Sequence, residues 1–282
     1  MAGKTYTNFA VTRPREWVAH VEINRPTKRN AFLEEMRFEL RDIFDSLSVD
    51  PSVRAIVFSG AGDKAFSAGL DVVSANKEGT MFNPRPEDTI DAARHAVAVR
   101  RWAQDFQDCV TSIERCEKPV ICVLHGYAFG IAVDLACCAD IRIAAQDAVF
   151  SVKEVDLGIA ADLSSLTRLP KIVRSYGWVK EVSLTARVFD AAEALEERFV
   201  NKVLPTKAKA LEEGLNLASL ISEKSPVAVQ GTKNFLDFSR DHTVEDGLKY
   251  TAVWNSAALQ TKDIPVSFQA LLGKKRATYE KL

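Results

Sequence analysis

The sequence predicts an α/β fold: a spiral-like core of recurring strand–turn–helix units, followed by a helical tail. Three observations predict it. Short β-rich runs such as Val53–Phe58 and Pro119–Leu124 show little polar alternation, the pattern of strands buried on both faces. Between such runs lie segments with apolar residues at helical spacing, for example Met36, Leu40, Ile43, Phe44 and Leu47. From about Lys207 onward the strand pattern stops and helical spacing dominates.

In chain order, Trp17–Ile23 alternates like a strand and is stopped by Asn24-Arg25-Pro26. A helix is expected over Glu34–Leu47, closed by Asp50-Pro51, then a strand over Val53–Phe58 and a turn at Ser59–Asp63. Phe66–Asp71 leads into a possible helix. Lys77–Asp88, with Gly79, Pro84 and Pro86, reads as a loop, and a long helix is expected from about Thr89 to Cys116. The strand Pro119–Leu124 ends at His125-Gly126, and Gly130–Cys138 reads as a buried helix. Asp140–Ala144 and Ala148–Val152 are strand-like. The tail divides into helices over Lys207–Lys224, Pro226–Phe238 and His242–Gln260, with starts at Ser225-Pro226 and Asp241-His242-Thr243. Trp254, Leu259, Phe268 and Leu272 are either tail core or a subunit interface.

Composition narrows the function. A chain of 282 residues, 47% hydrophobic and 27% charged, can bury one large domain, with or without a small appendage. A net charge of −1 gives no global field for nucleic acid, so an anionic ligand must be held locally. No apolar run is long enough to cross a membrane, and the N-terminus lacks the apolar centre of a secretory signal. Arg13 and Arg15 hint at a transit peptide, but the strand-like run that starts at Trp17 follows too closely. Cys109, Cys116, Cys122, Cys137 and Cys138 are odd in number and form no CxxC pair, as expected of reduced, buried thiols. His20, His95, His125 and His242 lack metal-ligand spacing, so no metal is expected.

Three segments carry chemistry. In Phe66-Ser67-Ala68-Gly69-Leu70-Asp71, small residues let the backbone approach a ligand and leave N–H groups free, although a plain strand-to-helix turn looks the same. In Lys118–Asp134, a buried strand empties through Gly126 into a loop, and Gly130 opens an apolar helix. The free N–H groups at that helix start favour developing negative charge. Asp134, one turn into the helix, is a carboxylate in apolar surroundings. It needs a partner or a raised pKa, and a local capping bond is the bland alternative. In Phe150–Pro170, Glu154 and Asp162 flank small residues ahead of a short helix. Asp162 reads equally as an N-cap, and Glu154 as a surface acid beside Lys153. No GxSxG elbow, P-loop or GxGxxG is present, and no cysteine has a plausible histidine partner. Free N–H donors plus carboxylates, without a nucleophile, suit enolate chemistry: removal of a proton alpha to a carbonyl.

These residues are similar to the enoyl-CoA hydratase/isomerase (crotonase) superfamily across nearly the whole chain. Asn24-Arg25-Pro26 with Asn30-Ala31, Phe66–Asp71 and His125-Gly126-Tyr127-Ala128-Phe129-Gly130 together carry the resemblance. Within the superfamily, Val152–Asp162 followed by Leu166-Thr167-Arg168-Leu169-Pro170 resembles the Δ3,5-Δ2,4-dienoyl-CoA isomerases. The resemblance implies a spiral of ββα units over residues 1–205 as the acyl-CoA-binding catalytic core. Residues 206–282 would form a helical oligomerisation region, building a homotrimer or a hexamer of two trimers. It implies an acyl-CoA thioester substrate, no added cofactor, no nucleic acid and no membrane span. The backbone N–H groups of Leu70 and Ile131 would form the oxyanion hole, with Ala68, Gly69, Asp71 and Gly130 shaping it and the CoA loop. Typical hydratases have glutamates at the positions of Asp134 and Glu154; here the first is Asp, and Asp162 is a third acid. One of Glu154 and Asp162 would take a proton from C2 of a 3,5-dienoyl-CoA and the other deliver one at C6. Glu154 is favoured at C2, with Asp134 tuning the pair. Ile131-Ala132 stands where the family often has consecutive glycines.

The neighbouring alternatives are a 2-enoyl-CoA hydratase, a Δ3,Δ2-enoyl-CoA isomerase, a non-catalytic acyl-CoA- or RNA-binding member, and an enzyme acting on a specialised biosynthetic acyl-CoA. Fold alone does not separate them. The C-terminal Lys281-Leu282 resembles a peroxisomal address with Glu280 in place of a small residue; mitochondrion and cytosol are the alternatives.

Overall fold

In a computed structural model, which describes residues 4–83, 85 and 90–282, the predicted buried runs form a six-stranded sheet. Its order is β1 (Phe9–Arg15), β2 (Val18–Ile23), β3 (Ala55–Gly60), β5 (Val120–Leu124), β7 (Ile141–Ala145) and β10 (Lys202–Leu204). β1 is antiparallel to β2; the remaining neighbours are parallel. A four-stranded sheet has the order β4 (Ala65–Ser67), β6 (Tyr127–Phe129), β8 (Val149–Ser151) and β9 (Phe189–Asp190), the last pair antiparallel. Successive turns of chain thus give one strand to each sheet: β3 then β4, β5 then β6, β7 then β8. Helices α2 (Val72–Ala75) and α3 (Ala92–Arg115), then α4 (Ile131–Cys137), then α5 (Ser165–Ile172) and α6 (Tyr176–Thr185), complete those turns. This is the expected spiral of ββα units.

The apolar strands are covered on both sides, which is why their sequence does not alternate. One face meets α1 (Met36–Ser48), where Phe58 packs edge-on against Phe44 and Phe66 with centroids 5.6 and 5.4 Å apart. The other face, through Val57, Ile121, Val123 and Ile143, meets α8 (Lys207–Ser222), which approaches on Ala210 and Ala218. The boundary expected at residue 205 therefore falls just before a helix that completes the core. Beyond it run α9 (Pro226–Asp241), α10 (Val244–Ala258) and α11 (Asp263–Leu272). Ser225 and Thr243 cap α9 and α10, accepting the N–H groups of Ala228 and Asp246 at 3.2 and 3.1 Å, as their sequence positions suggested.

Some expectations shift. The expected helix start at Thr89, and Pro84, Pro86 and Asp88 of the expected loop, lie outside the described residues; α3 is capped by Asp91, which accepts the Arg94 N–H at 3.0 Å. β1 was not expected: Pro14 and the polar residues around it mask the pattern, and it survives because an edge strand tolerates proline. Arg13 and Arg15 belong to that strand. Short β4 and β6 lie where turns were expected, and α11 adds a helix to the tail. All five cysteines are buried and free. Among the described residues no helix is long and apolar enough to cross a membrane.

Candidate active site

The two loops singled out in the sequence leave neighbouring strands of the small sheet. β4 pairs in parallel with β6, so the segments after Ser67 and after Phe129 emerge side by side. Asn30 fixes the first. Its carboxamide accepts the Arg25 N–H at 2.9 Å and donates to the carbonyls of Ala61 and Ala65, both at 2.8 Å. The Ser67 hydroxyl donates to the Asn30 carbonyl at 2.8 Å and accepts the Gly69 N–H at 3.3 Å. This explains chemically why Asn30 and Ser67 stand where they do.

The backbone then turns at Gly69 (φ +98°), and at Gly130 (φ +55°) in the second loop. A side chain at either would be strained by its φ, and a Cβ at Gly130 would come 3.2 Å from Glu154 Oε1. The turns have a definite product. The Phe32 N–H bonds the Gly69 carbonyl and the Asp71 N–H bonds Phe32, while Gly130 donates to Ser151 at 2.9 Å. Among the described residues, the N–H groups of Leu70 and Ile131 between and beyond these bonds have no acceptor. They are the two N–H groups for which the resemblance implies an oxyanion role. Asp71 caps α2 through the Ser74 N–H at 3.1 Å and pairs with Arg25 at 3.2 Å, which anchors the loop from outside.

Both loops line a cavity of about 410 Å³ that also receives Asp134, Glu154 and Asp162. Ala68, Gly69, Leu70, Asp71, Gly130 and Ile131 line it as well, so all the expected site residues meet in one place. Asp134 is fully buried in α4, and its Oδ1 accepts the Ser165 N–H at 2.6 Å. The capping alternative for Asp134 is thus realised, but across space: it serves the start of α5. The N-cap alternative for Asp162 fails, because the capping position of α5 is Ser164, and the only group that steadies the Asp162 carboxylate among the described residues is its own backbone N–H. Glu154 is half-buried, against the surface-acid alternative, and its Oε2 is buried without a hydrogen-bond partner among the described residues.

Burial raises all three acids. It pushes Glu154 up to about 7, with the neighbouring charges of Asp134 and then Asp162 adding to the rise. It pushes Asp134 up to about 6, opposed by the Ser165 N–H. Asp162 is raised by burial despite lying open to the cavity mouth. Glu154 and Asp134 are thus raised toward neutral pH, and the charge of Asp162 adds to the rise of both.

Sequence reasoning missed the opposite wall. Trp102 and Phe106 of α3 line the cavity with Phe82, joined by edge-on contacts of 5.7 Å each. The amphipathic pattern of α3 was legible, but nothing in it told which part of the apolar stripe faces a cavity. A neighbouring cavity of about 580 Å³ lies on the far side of Ala68–Asp71 and offers Arg25, Lys28 and Lys77. Among the described residues no group of His, Cys, Asp and Glu is arranged to hold a metal ion.

Two backbone N–H groups and three carboxylates thus line one cavity on a ββα spiral. The chain belongs to the enoyl-CoA hydratase/isomerase family, whose profile matches residues 14–281. Among curated relatives, the mitochondrial Delta(3,5)-Delta(2,4)-dienoyl-CoA isomerase of Rattus norvegicus is 44% identical over 98% of this chain and 84% of its own length. The peroxisomal enzyme of that name from Arabidopsis thaliana is 41% identical over 94% of this chain and 93% of its own. The crystal structure of an enoyl-CoA hydratase from Bacillus anthracis superposes with a TM-score of 0.85 at 25% identity, covering 97% of this chain and 99% of that one.

Proposed function

We propose that this protein is a Δ3,5-Δ2,4-dienoyl-CoA isomerase of unsaturated fatty acid β-oxidation. The observation that carries the proposal is the third carboxylate. Asp162 lines the same cavity as a hydratase-like Glu154, its carboxylate bonded to no other residue among those described, and the relatives similar over nearly full length bear that enzyme's name. The thioester oxygen accepts the N–H groups of Leu70 and Ile131, each supplying about 3 kcal/mol of transition-state stabilisation. Glu154 takes a proton from C2, charge spreads along the diene to C6, and the carboxylic acid of Asp162 delivers a proton there. The C3 and C5 double bonds become C2 and C4 double bonds, with no net oxidation, so the step as written needs no cofactor. Lys28 and Lys77 sit where they can meet the phosphates of coenzyme A.

The nearness of Glu154 to the Gly130 turn, where an added Cβ would come 3.2 Å from its Oε1, favours Glu154 at C2, beside the Ile131 donor. In the free state Glu154 is raised to about 7, so at neutral pH it carries a proton part of the time and its ionised fraction serves as the base. Asp162 is open to solvent in that state. An acyl chain over it removes water, raises it further and draws the proton across. The deciding experiment offers 3,5-dienoyl-CoA and crotonyl-CoA separately and follows ultraviolet absorbance. Growth of the conjugated 2,4-diene band is expected; hydration of crotonyl-CoA without it would establish a hydratase instead.

Two variants probe the surroundings. Asp134→Asn keeps an oxygen for the Ser165 N–H but removes the charge that raises Glu154. The acid limb of the kcat/KM–pH profile, where the base becomes protonated, is therefore expected to move to lower pH; an unmoved limb contradicts the coupling. Ile131→Gly is expected to retain activity within about tenfold, because the donor is the backbone N–H. Complete loss in a folded variant would contradict the oxyanion assignment.

Exposed Val253, Phe268, Leu271 and Leu272 on α10 and α11 support a homotrimer, alone or paired into a hexamer. For compartment we favour the peroxisome, supported by Lys281-Leu282 and by the plant relative, whereas the animal relatives are named mitochondrial. Arg54 donates to the carbonyls of Tyr279 and Glu280 at 2.8 and 3.0 Å, drawing the tail onto the body. Residues 271–282 fused to a fluorescent protein are expected to direct it to peroxisomes, and diffuse fluorescence would overturn the address.

A further inference from the structure

The carboxylates of the site are held unequally. Glu154 begins a 3-10 turn, Glu154–Leu157, whose end is closed by the N–H of Ile159 on the Glu154 carbonyl at 3.2 Å. Asp134 is enclosed in α4 and bonded to Ser165. Asp162 lies between the 3-10 turn and α5, on a stretch outside any helix or strand. Among the described residues, the backbone and side chains of Ala160, Ala161, Asp162 and Leu163 make one hydrogen bond: Gln107 Nε2 donates to the Asp162 carbonyl at 2.6 Å.

Gln107 belongs to a stripe of α3 that faces this segment. Gln107, Thr111 and Glu114 follow at i, i+4 and i+7, so they share one side of the helix. Thr111 accepts a bond from Arg168 at 3.2 Å, and Glu114 takes the Arg168 guanidinium in an ion pair at 2.6 Å. Arg168 in turn donates to the Ser164 hydroxyl at 3.2 Å. The stripe therefore fastens the start of α5 at its C-terminal part and the loop carrying Asp162 at Gln107. Trp102 and Phe106, earlier on the same helix, wall the cavity.

On the 3,5-dienoyl chemistry proposed above, we propose that Gln107 is the positioning residue for Asp162: its amide grip on the Asp162 carbonyl sets where the carboxyl stands relative to C6. Gln107 touches no reacting atom. It acts through the backbone it holds, and it acts on one of the two proton transfers. The C2 step uses Glu154 and the N–H pair, neither of which Gln107 contacts. Loosening Asp162 by an ångström is enough to lower the C6 step by one to two powers of ten.

The test uses the full-length protein and a 3,5-dienoyl-CoA deuterated at C2. Conversion to the conjugated diene is followed by ultraviolet absorbance, and loss of deuterium from recovered, unreacted substrate by mass spectrometry. Gln107→Met keeps the side-chain length and removes the donor. It is expected to lower kcat about tenfold or more, to leave KM within about twofold, and to raise the ratio of exchange to conversion about tenfold. The rise follows because a slower C6 step gives the dienolate more time to return a solvent proton to C2. A fall in conversion with an unchanged ratio means that Gln107 supports the whole site alike and overturns the proposal, as does an unchanged kcat. Asp162→Asn serves as the reference. If that variant converts substrate at the wild-type rate, or the wild type converts none, the diene reading itself fails, a result separate from any outcome at Gln107.

Discussion

Replacing Asp162 by asparagine is expected to lower the rate of conjugated-diene formation from 3,5-dienoyl-CoA by about 10²–10⁴-fold, with the fold intact. The amide cannot give up a proton at C6 as a carboxylic acid does. Among the described residues the carboxylate bonds only its own backbone N–H, which an asparagine oxygen can still accept, so folding and substrate affinity are expected to stay close to wild type. Removal of the C2 proton continues in this variant, and deuterium should wash into unreacted substrate from heavy water. The alkaline limb of the pH–rate profile, which reports loss of the donated proton, should change with it. Wild-type turnover by Asp162→Asn would return this residue to a structural role and leave hydratase chemistry as the better description.

Glu154→Gln is expected to cost a similar about 10²–10⁴-fold, with a different signature. Here the first proton transfer is lost, so neither diene formation nor exchange at C2 should proceed. Glu154 is also the group whose ionisation is placed near neutral pH by burial and by its acidic neighbours. A general base is most effective when its pKa lies near the working pH, and burial supplies that match here. The glutamine variant should therefore lose the acid limb of the profile. Its Oε2 counterpart is buried without a partner in the native chain, so the neutral amide is easier to bury than the ionised acid, and stability above about pH 7 should not fall. Exchange at C2 persisting at the wild-type rate in Glu154→Gln would exchange the roles of Glu154 and Asp162.

Much of this was legible in the sequence, for physical reasons that also mark its limits. Strands such as Val120–Leu124 declare themselves because burial on both faces demands continuous apolar residues. The caps at Ser225 and Thr243 are visible because the hydroxyl must sit at one fixed place relative to the helix. The short strands Ala65–Ser67 and Tyr127–Phe129 are not visible, because so few residues carry no periodicity and their pairing is set by chain segments far away. The candidate site residues, which line one cavity, could be singled out because carboxylates and glycines are out of place in apolar surroundings. Asp162 could not be separated from an N-cap until the start of α5 was located at Ser165. Gln107, Trp102 and Phe106 escaped notice because a glutamine or an aromatic residue on an amphipathic helix is ordinary, and only tertiary packing decides what that helix faces.

On the chemistry proposed above, the two oxyanion donors follow β4 and β6, whose pairing sets Ala65 beside Tyr127 and Ser67 beside Ala128 with a register shift between them. Neighbouring strands keep a nearly constant spacing of about 4.8 Å, whatever side chains they carry. The electrophilic centre is thus inherited from the main chain, while the side chains of Leu70 and Ile131 remain open to mutation. A lineage, or an engineer, can reshape the acyl pocket at those positions and reassign the carboxylates opposite them without rebuilding the part that stabilises the enolate. Such a division of labour lets one scaffold move among related thioester reactions in single-residue steps.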